Sequence, residues 1–128
     1  MSKYLENPTN RDDLAKGVRR AIKEKESDTS IFSEIYLRGK WGKSSGPGSS
    51  VSYNTEFIPF LRDWLQEHNV SLVVDIGCGM WEYSSRVYSG LKVLYMGIDC
   101  VPFIIERNRK EYGASDRAFL CLDVIIRV

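Results

Sequence analysis

The sequence predicts an α/β fold built on a parallel sheet. Three observations predict it. Short apolar runs recur near residues 71–76, 93–98 and 118–122, and helical patterns separate them. Each run ends in an acidic residue, Asp75, Asp99 and Asp123, at intervals of one strand–helix unit. The runs are apolar at successive positions rather than alternating, as strands of a parallel sheet are, and helical connections between them imply right-handed crossovers.

The N-terminal part reads as helical. Residues 1–10 form a lead-in. Thr9-Asn10-Arg11-Asp12 offers a helix start, and Leu14, Val18, Ala21 and Ile22 recur at helical spacing to about Glu26. A second amphipathic segment runs from Ile31 to Leu37, with Asp28, Thr29 or Ser30 as its cap. Residues 39–52 are rich in glycine and serine and read as a loop. A third helix fits Thr55 to His68, where Phe57, Ile58, Leu61, Trp64 and Leu65 make one stripe. Pro59 is tolerated near its start, and Asn69 marks its stop.

The alternation begins after that helix. Strand one is Ser71–Ile76, followed by a helix from about Trp81 to Leu91. Strand two is Val93–Ile98, ending at Asp99. The next helix opens at Pro102, a favoured first helical residue, and ends near Gly113. Strand three is Ala118–Leu122, ending at Asp123. Residues 1–54 thus form a helical segment and loop, and 55–128 the sheet-bearing part, in one structural unit of 128 residues.

Composition narrows the function. With 18 basic and 17 acidic residues the net charge is +1, so no general attraction to nucleic acid or anionic membrane is expected. The Lys and Arg of the first 43 residues interleave with acids, as on a solvated helix face. Three cysteines without a CxxC spacing argue against a disulfide framework and a zinc site, and fit a reducing cytoplasm. The N-terminus has no apolar signal region, and no apolar run nears the ~20 residues of a membrane span.

Chemistry concentrates at the carboxyl ends of the strands, where ligands bind in open α/β sheets. Asp75, Asp99 and Asp123 converge there beside the turn Gly77-Cys78-Gly79. The turn is expected to meet a ligand with backbone N–H groups. An acid ending strand two suits the two hydroxyls of a ribose. A dinucleotide fingerprint needs a third glycine, but Glu82 stands in its place. A carboxylate there repels a pyrophosphate and tolerates a ligand carrying an ammonium and a sulfonium. Nicotinamide dinucleotides are disfavoured and S-adenosylmethionine favoured.

Val74-Asp75-Ile76-Gly77-Cys78-Gly79, Tyr95-Met96-Gly97-Ile98-Asp99 and Phe119-Leu120-Cys121-Leu122-Asp123-Val124 together resemble the first three motifs of class I S-adenosylmethionine-dependent methyltransferases. Phe32-Ser33-Glu34-Ile35-Tyr36, Trp41-Gly42, residues 45–50 and Thr55 resemble the N-terminal region of a subgroup of that family. The resemblance covers roughly residues 30–124. It implies a three-layer Rossmann-like sheet, truncated to about three strands in the order 3-2-1, with N-terminal helices. It further implies that Asp75, Gly77, Cys78 and Gly79 border the methionine end of the cofactor and that Asp99 binds the ribose. Cys100 and Val101 would lie beside the adenine, Asp123 and Val124 at its amino group, and Trp41 with the 45–49 loop would close over the ligand. The activity implied is methyl transfer to a small-molecule or unidentified acceptor.

Complete members of that family carry further strands beyond the third, including the one that serves the acceptor, and only the first three are expected here. No residue is assigned as a catalytic base: His68 falls at a helix end away from the carboxyl edge, while Tyr36, Tyr53 and Tyr83 are pocket candidates. The alternative reading is a non-catalytic cofactor-binding or assembly half-domain. Strand one is expected to be an exposed apolar edge at which two copies pair.

Overall fold

The structure, a computed structural model, describes residues 29–124. The expected helix near 11–26 and the terminal run 125–128 lie outside them. Helix α1 covers 29–37 among these residues, so Thr29 and Ser30 lie inside the helix rather than capping it. A series of turns with a short 3-10 segment, Pro47–Ser49, leads to α2 (Phe57–Glu67). Then come β1 (Leu72–Ile76), α3 (Glu82–Tyr88), β2 (Leu94–Asp99), α4 (Pro102–Tyr112) and β3 (Arg117–Cys121).

Local chemistry sets these boundaries. Asn69 adopts a left-handed φ of 51° and ends α2, and Val70 N–H returns to Leu65 O at 3.0 Å. Pro102 opens α4 where no N–H is required. The helix expected over 81–91 is shorter at both ends. Trp81 has a φ of 61° and cannot be its first turn. At the other end Arg62 of α2 donates to the carbonyls of Arg86, Val87 and Ser89 at 2.7–2.9 Å, terminating α3 with a cation.

The sheet is parallel throughout, ordered β1-β2-β3 from the β1 edge; 3-2-1 names the same sheet from the β3 edge. Leu72 pairs with Leu94, and Tyr95 with Arg117. The three layers implied by the resemblance are two among the described residues. Strand order advances in one direction, so right-handed crossovers lay α3 and α4 on the same face. Val73, Tyr95 and Phe119 point to that face. Trp81 and Ile105 join Tyr95 and Phe119 in one core cluster, and Leu65, Val87 and Leu91 pack with Val73 in a second. The opposite face shows Leu72, Val74 and Ile76 of β1, Leu94 and Met96 of β2, and Leu120 of β3, all exposed. No helix of the described residues is long and apolar enough to cross a membrane.

Candidate functional site

The turn from β1 to α3 passes through three left-handed residues: Gly77 at φ 80°, Gly79 at 54° and Trp81 at 61°. Glycine adopts this backbone without strain; for Trp81 it costs about 1–2 kcal/mol. Burial offsets that cost. Trp81 is 2% exposed and sits among Tyr88, Tyr95, Tyr112 and Phe119, with ring centroids 4.8–6.1 Å away. The indole anchors the turn from the core side.

The donors of this turn are already engaged, contrary to the expectation that they meet the ligand. Gly77 and Cys78 N–H both donate to Ile98 O, at 2.7 and 3.0 Å. Gly79 N–H donates to Asp99 Oδ2 at 3.0 Å, and Met80 N–H to Ser45 Oγ at 2.7 Å. The turn therefore offers close approach rather than an N–H cradle for an anion. Its carbonyls are held from α4: Asn108 Nδ2 donates to Gly79 O at 2.7 Å, and Arg107 to Met80 O at 3.2 Å.

Residues 39–50 form a strap fastened to the turn through Ser45. Besides Met80 N–H, Ser45 Oγ shares a 2.8 Å hydrogen bond with Tyr36 Oη, and Ser45 N–H donates to Glu82 Oε1 at 3.3 Å. A Cβ on Gly79 would collide with Ser45 Oγ. Trp41, at the start of the strap, meets Tyr36 edge-on with centroids 5.6 Å apart, and Tyr36 meets Phe103 of α4 at 6.2 Å.

The three strand-end acids lie on an oblique line. Register offsets between neighbouring strands are 22 residues, as in Leu72↔Leu94, whereas the acids are 24 apart, so Asp75 pairs with Gly97 and Asp99 with Cys121. Each acid stands two residues farther along than its neighbour's level. An even offset keeps Asp75 and Asp99 on one face, a step of roughly 8 Å from ~6.6 Å along the strand and ~4.8 Å across, and Asp123 follows two residues past the end of β3. Asp99 also accepts from Val101 N–H at 3.1 Å, and each of its oxygens keeps a second acceptor position. Asp75 Oδ2 accepts from Tyr95 Oη at 2.7 Å.

These groups border a cavity of about 410 Å³ at the carboxyl edge of the sheet. Of the expected ligand-binding residues, Trp41, Asp75, Gly77, Cys78, Gly79, Asp99, Cys100, Asp123 and Val124 line it. Val101 does not: its side chain is fully buried in the core and its contribution is the N–H that fixes Asp99. Tyr36 and Tyr83 line the cavity, whereas Tyr53 is exposed away from it. His68 caps α2, stacked on Trp64 with centroids 4.3 Å apart. Among the described residues the lining holds four carboxylates, Asp75, Glu82, Asp99 and Asp123, and no Lys, Arg or His. Among the described residues, no three His, Cys, Asp or Glu groups come together as metal ligands would.

Burial and the carboxylates keep the weak acids of the cavity neutral. Burial, then Asp99 and Asp75, pushes the Cys78 thiol up to about 12. Burial, then Asp99 and Asp123, pushes Cys100 up to about 11. Burial also raises Tyr36, outweighing its hydrogen bond to Ser45. None of these is a ready thiolate or phenolate nucleophile.

No family model matches the chain, and no curated protein matches it. Among solved structures it is similar to the plantazolicin methyltransferase BpumL, whose crystal structure is in complex with a monoazolic desmethylPZN analog and SAH. The likeness covers 84% of this chain and 44% of that one, at 21% identity and a TM-score of 0.44. This chain spans less than half of that protein's length.

Sequence reasoning missed Ser45 and Asn108. Ser45 is one of several serines in the strap, and nothing local distinguishes it. Asn108 carried a signal: it follows Ile104 and Ile105 by four and three residues, on the core stripe of α4, where a polar side chain must have a partner.

Proposed function

We propose that this chain binds S-adenosylmethionine along the carboxyl edge of its sheet and is the cofactor-binding part of a methyltransferase. The observation that carries the reading is the charge of the cavity: four carboxylates, no basic side chain among the described residues, and a glycine turn whose N–H groups are spent within the protein. An anionic pyrophosphate finds repulsion there, and the N–H groups of residues 77–80 are not free to receive it. A ligand bearing a sulfonium and an ammonium finds opposite charge, in a site where partial burial weakens screening. This is the reason to prefer it over a nicotinamide dinucleotide.

The residue roles are those the resemblance implies, and the lining of the cavity supports them. Asp99 accepts from the ribose hydroxyls through the lone pairs left by Gly79 and Val101 N–H. Asp75 and Glu82 face the cationic tail, Gly77 and Gly79 let it approach the backbone, and Asp123 and Val124 border the adenine with Cys100. Trp41 and the strap close the open side. When bound, the cofactor supplies a methyl group on a positively charged sulfur for in-line displacement by an acceptor lone pair. The chain contributes positioning and electrostatics.

Calorimetry on the full chain tests this with S-adenosylmethionine, S-adenosylhomocysteine and NAD. S-adenosylmethionine binds and NAD does not. Asp99→Ala abolishes binding without lowering the melting temperature to the extent of a core substitution. Failure of both adenosyl ligands to bind the folded wild-type chain refutes the reading.

A further inference from the structure

We infer that Tyr95, a core residue of β2, is a positioning residue for the proposed cofactor: its buried phenol aims the Asp75 carboxylate at the ligand's ammonium, so the site reads the amino-acid end of the ligand as well as its adenosine. The inference rests on the reading that Asp75 faces the cationic tail. Tyr95 pairs with Val73, so Asp75 stands one strand over and two residues nearer the carboxyl edge, on the same face. That diagonal is roughly 8 Å. The phenol spans it, and Tyr95 Oη donates to Asp75 Oδ2 at 2.7 Å. A hydroxyl on a carboxylate makes a charge-assisted bond, stronger than a neutral one. Among the described residues, this is the hydrogen bond that holds Asp75. Gly97 stands level with Asp75 and sets no side chain beside it; a Cβ there would meet Phe119 at 2.8 Å and Cys78 Sγ at 3.0 Å.

Three properties suit Tyr95 to aim a carboxylate rather than merely fill space. It is rigid: the ring is 2% exposed and packs against Trp81, Tyr88 and Phe119, with centroids 5.3, 4.6 and 5.9 Å away. A tyrosine has two side-chain torsions to fix, and these rings fix them. It donates only: burial, then Asp75, raises the phenol and keeps its proton on Oη. It also takes one oxygen and leaves the other. With Oδ2 tied on the core side, Oδ1 is the oxygen left to meet a donor in the cavity that Asp75 lines. A carboxylate held this way is already oriented when the ligand arrives, so less order is lost on binding. An adenosyl ligand without an amino-acid end gains nothing from that orientation.

Tyr95→Phe removes the hydroxyl and keeps the ring and its packing. Calorimetry on the full chain compares two probes, S-adenosylhomocysteine and 5′-methylthioadenosine, which lacks the amino-acid end. Tyr95→Phe raises the Kd of S-adenosylhomocysteine about tenfold, the scale of one hydrogen bond to a charged group, and leaves that of 5′-methylthioadenosine unchanged. A merely structural role would move both. Asp75→Asn gives a second measure: it weakens S-adenosylhomocysteine by itself, and adding Tyr95→Phe to it costs little further affinity. Equal weakening of both ligands by Tyr95→Phe assigns the residue to general packing and overturns the inference. So does an unchanged affinity for S-adenosylhomocysteine, and so do additive losses in the double variant. A wild-type chain that binds both probes with one affinity keeps the adenosyl site and overturns this inference alone. A wild-type chain that binds neither refutes the cofactor reading, and the role of Tyr95 falls with it.

Discussion

Gly79→Ala is the sharpest test of how the strap and the glycine turn hold each other. Two costs combine there. Alanine must adopt a φ near 54°, which costs about 1–2 kcal/mol. Its Cβ would also clash with Ser45 Oγ and lie 3.0 Å from Ser45 Cβ, so Ser45 must move away. Departure breaks the hydrogen bonds of Ser45 Oγ with Met80 N–H and Tyr36 Oη, each contributing about 0.5–1.5 kcal/mol. The total is about 2–5 kcal/mol, and roughly 4 °C of melting temperature goes with each kcal/mol in a chain of this length. Gly77→Ala is the control. Its φ is 80°, but a Cβ there meets nothing within 4 Å, so only the backbone cost of about 1–2 kcal/mol remains. The assay is a double-mutant cycle by thermal melting, with Ser45→Gly as the second change. Ser45→Gly removes the clash, and Gly79→Ala on that background falls to the cost of Gly77→Ala. Equal effects of Gly79→Ala and Gly77→Ala in the wild-type background, or strict additivity with Ser45→Gly, refute the account of the strap as fastened through Ser45.

Three further outcomes follow from the packing. Arg62→Ala leaves three carbonyls at the end of α3 without their cation and lowers stability by about 1–3 kcal/mol in denaturant titration, with little change in adenosyl-ligand affinity. Asn108→Leu removes the donor to Gly79 O, costing about 1–3 kcal/mol and weakening the turn; Asn108→Asp is worse, because it sets a buried carboxylate against that carbonyl. The buried acids set an alkaline limit. Burial raises Cys78 from 9.0 to about 12 and Tyr88 from 10.0 to about 12. Their contribution is complete below pH 9, and is lost as the unfolded chain sheds protons that the folded chain holds between about pH 9 and 12. Denaturant midpoints measured across that window decline, and Cys78 resists alkylation at pH 8 unless the chain is unfolded.

The strand-end acids and the glycine turn were legible because each has a purely local signature. An apolar run ending in an acid marks a strand end whatever surrounds it, and a two-residue surplus in spacing left Asp75 and Asp99 on one face. Helix α3 was misjudged at its start for a tertiary reason, since four distant rings draw Trp81 into a left-handed backbone; at its end Gly90, at φ 73°, turns the chain out locally and Arg62 of α2 holds the last carbonyls. The engagement of the turn's N–H groups was equally out of reach. It depends on Ser45, 35 residues upstream of Met80, and on Asp99, 20 residues downstream of Gly79. Among the described residues only two of the expected three layers are present, since three strands advancing in one direction put their crossover helices on one side.

The four carboxylates also decide what the cavity refuses. Most adenine-bearing metabolites carry phosphates, and on the proposed reading the pocket meets the adenosine part that they all share. Charge separates them at the entrance: each anionic oxygen brought near Asp75, Glu82, Asp99 and Asp123 meets repulsion that water screens only partly. Discrimination of this kind needs no contact specific to the preferred ligand. It weakens as salt is added, so rising ionic strength narrows the gap between a cationic adenosyl ligand and its anionic competitors by loosening the first while easing the entry of the second.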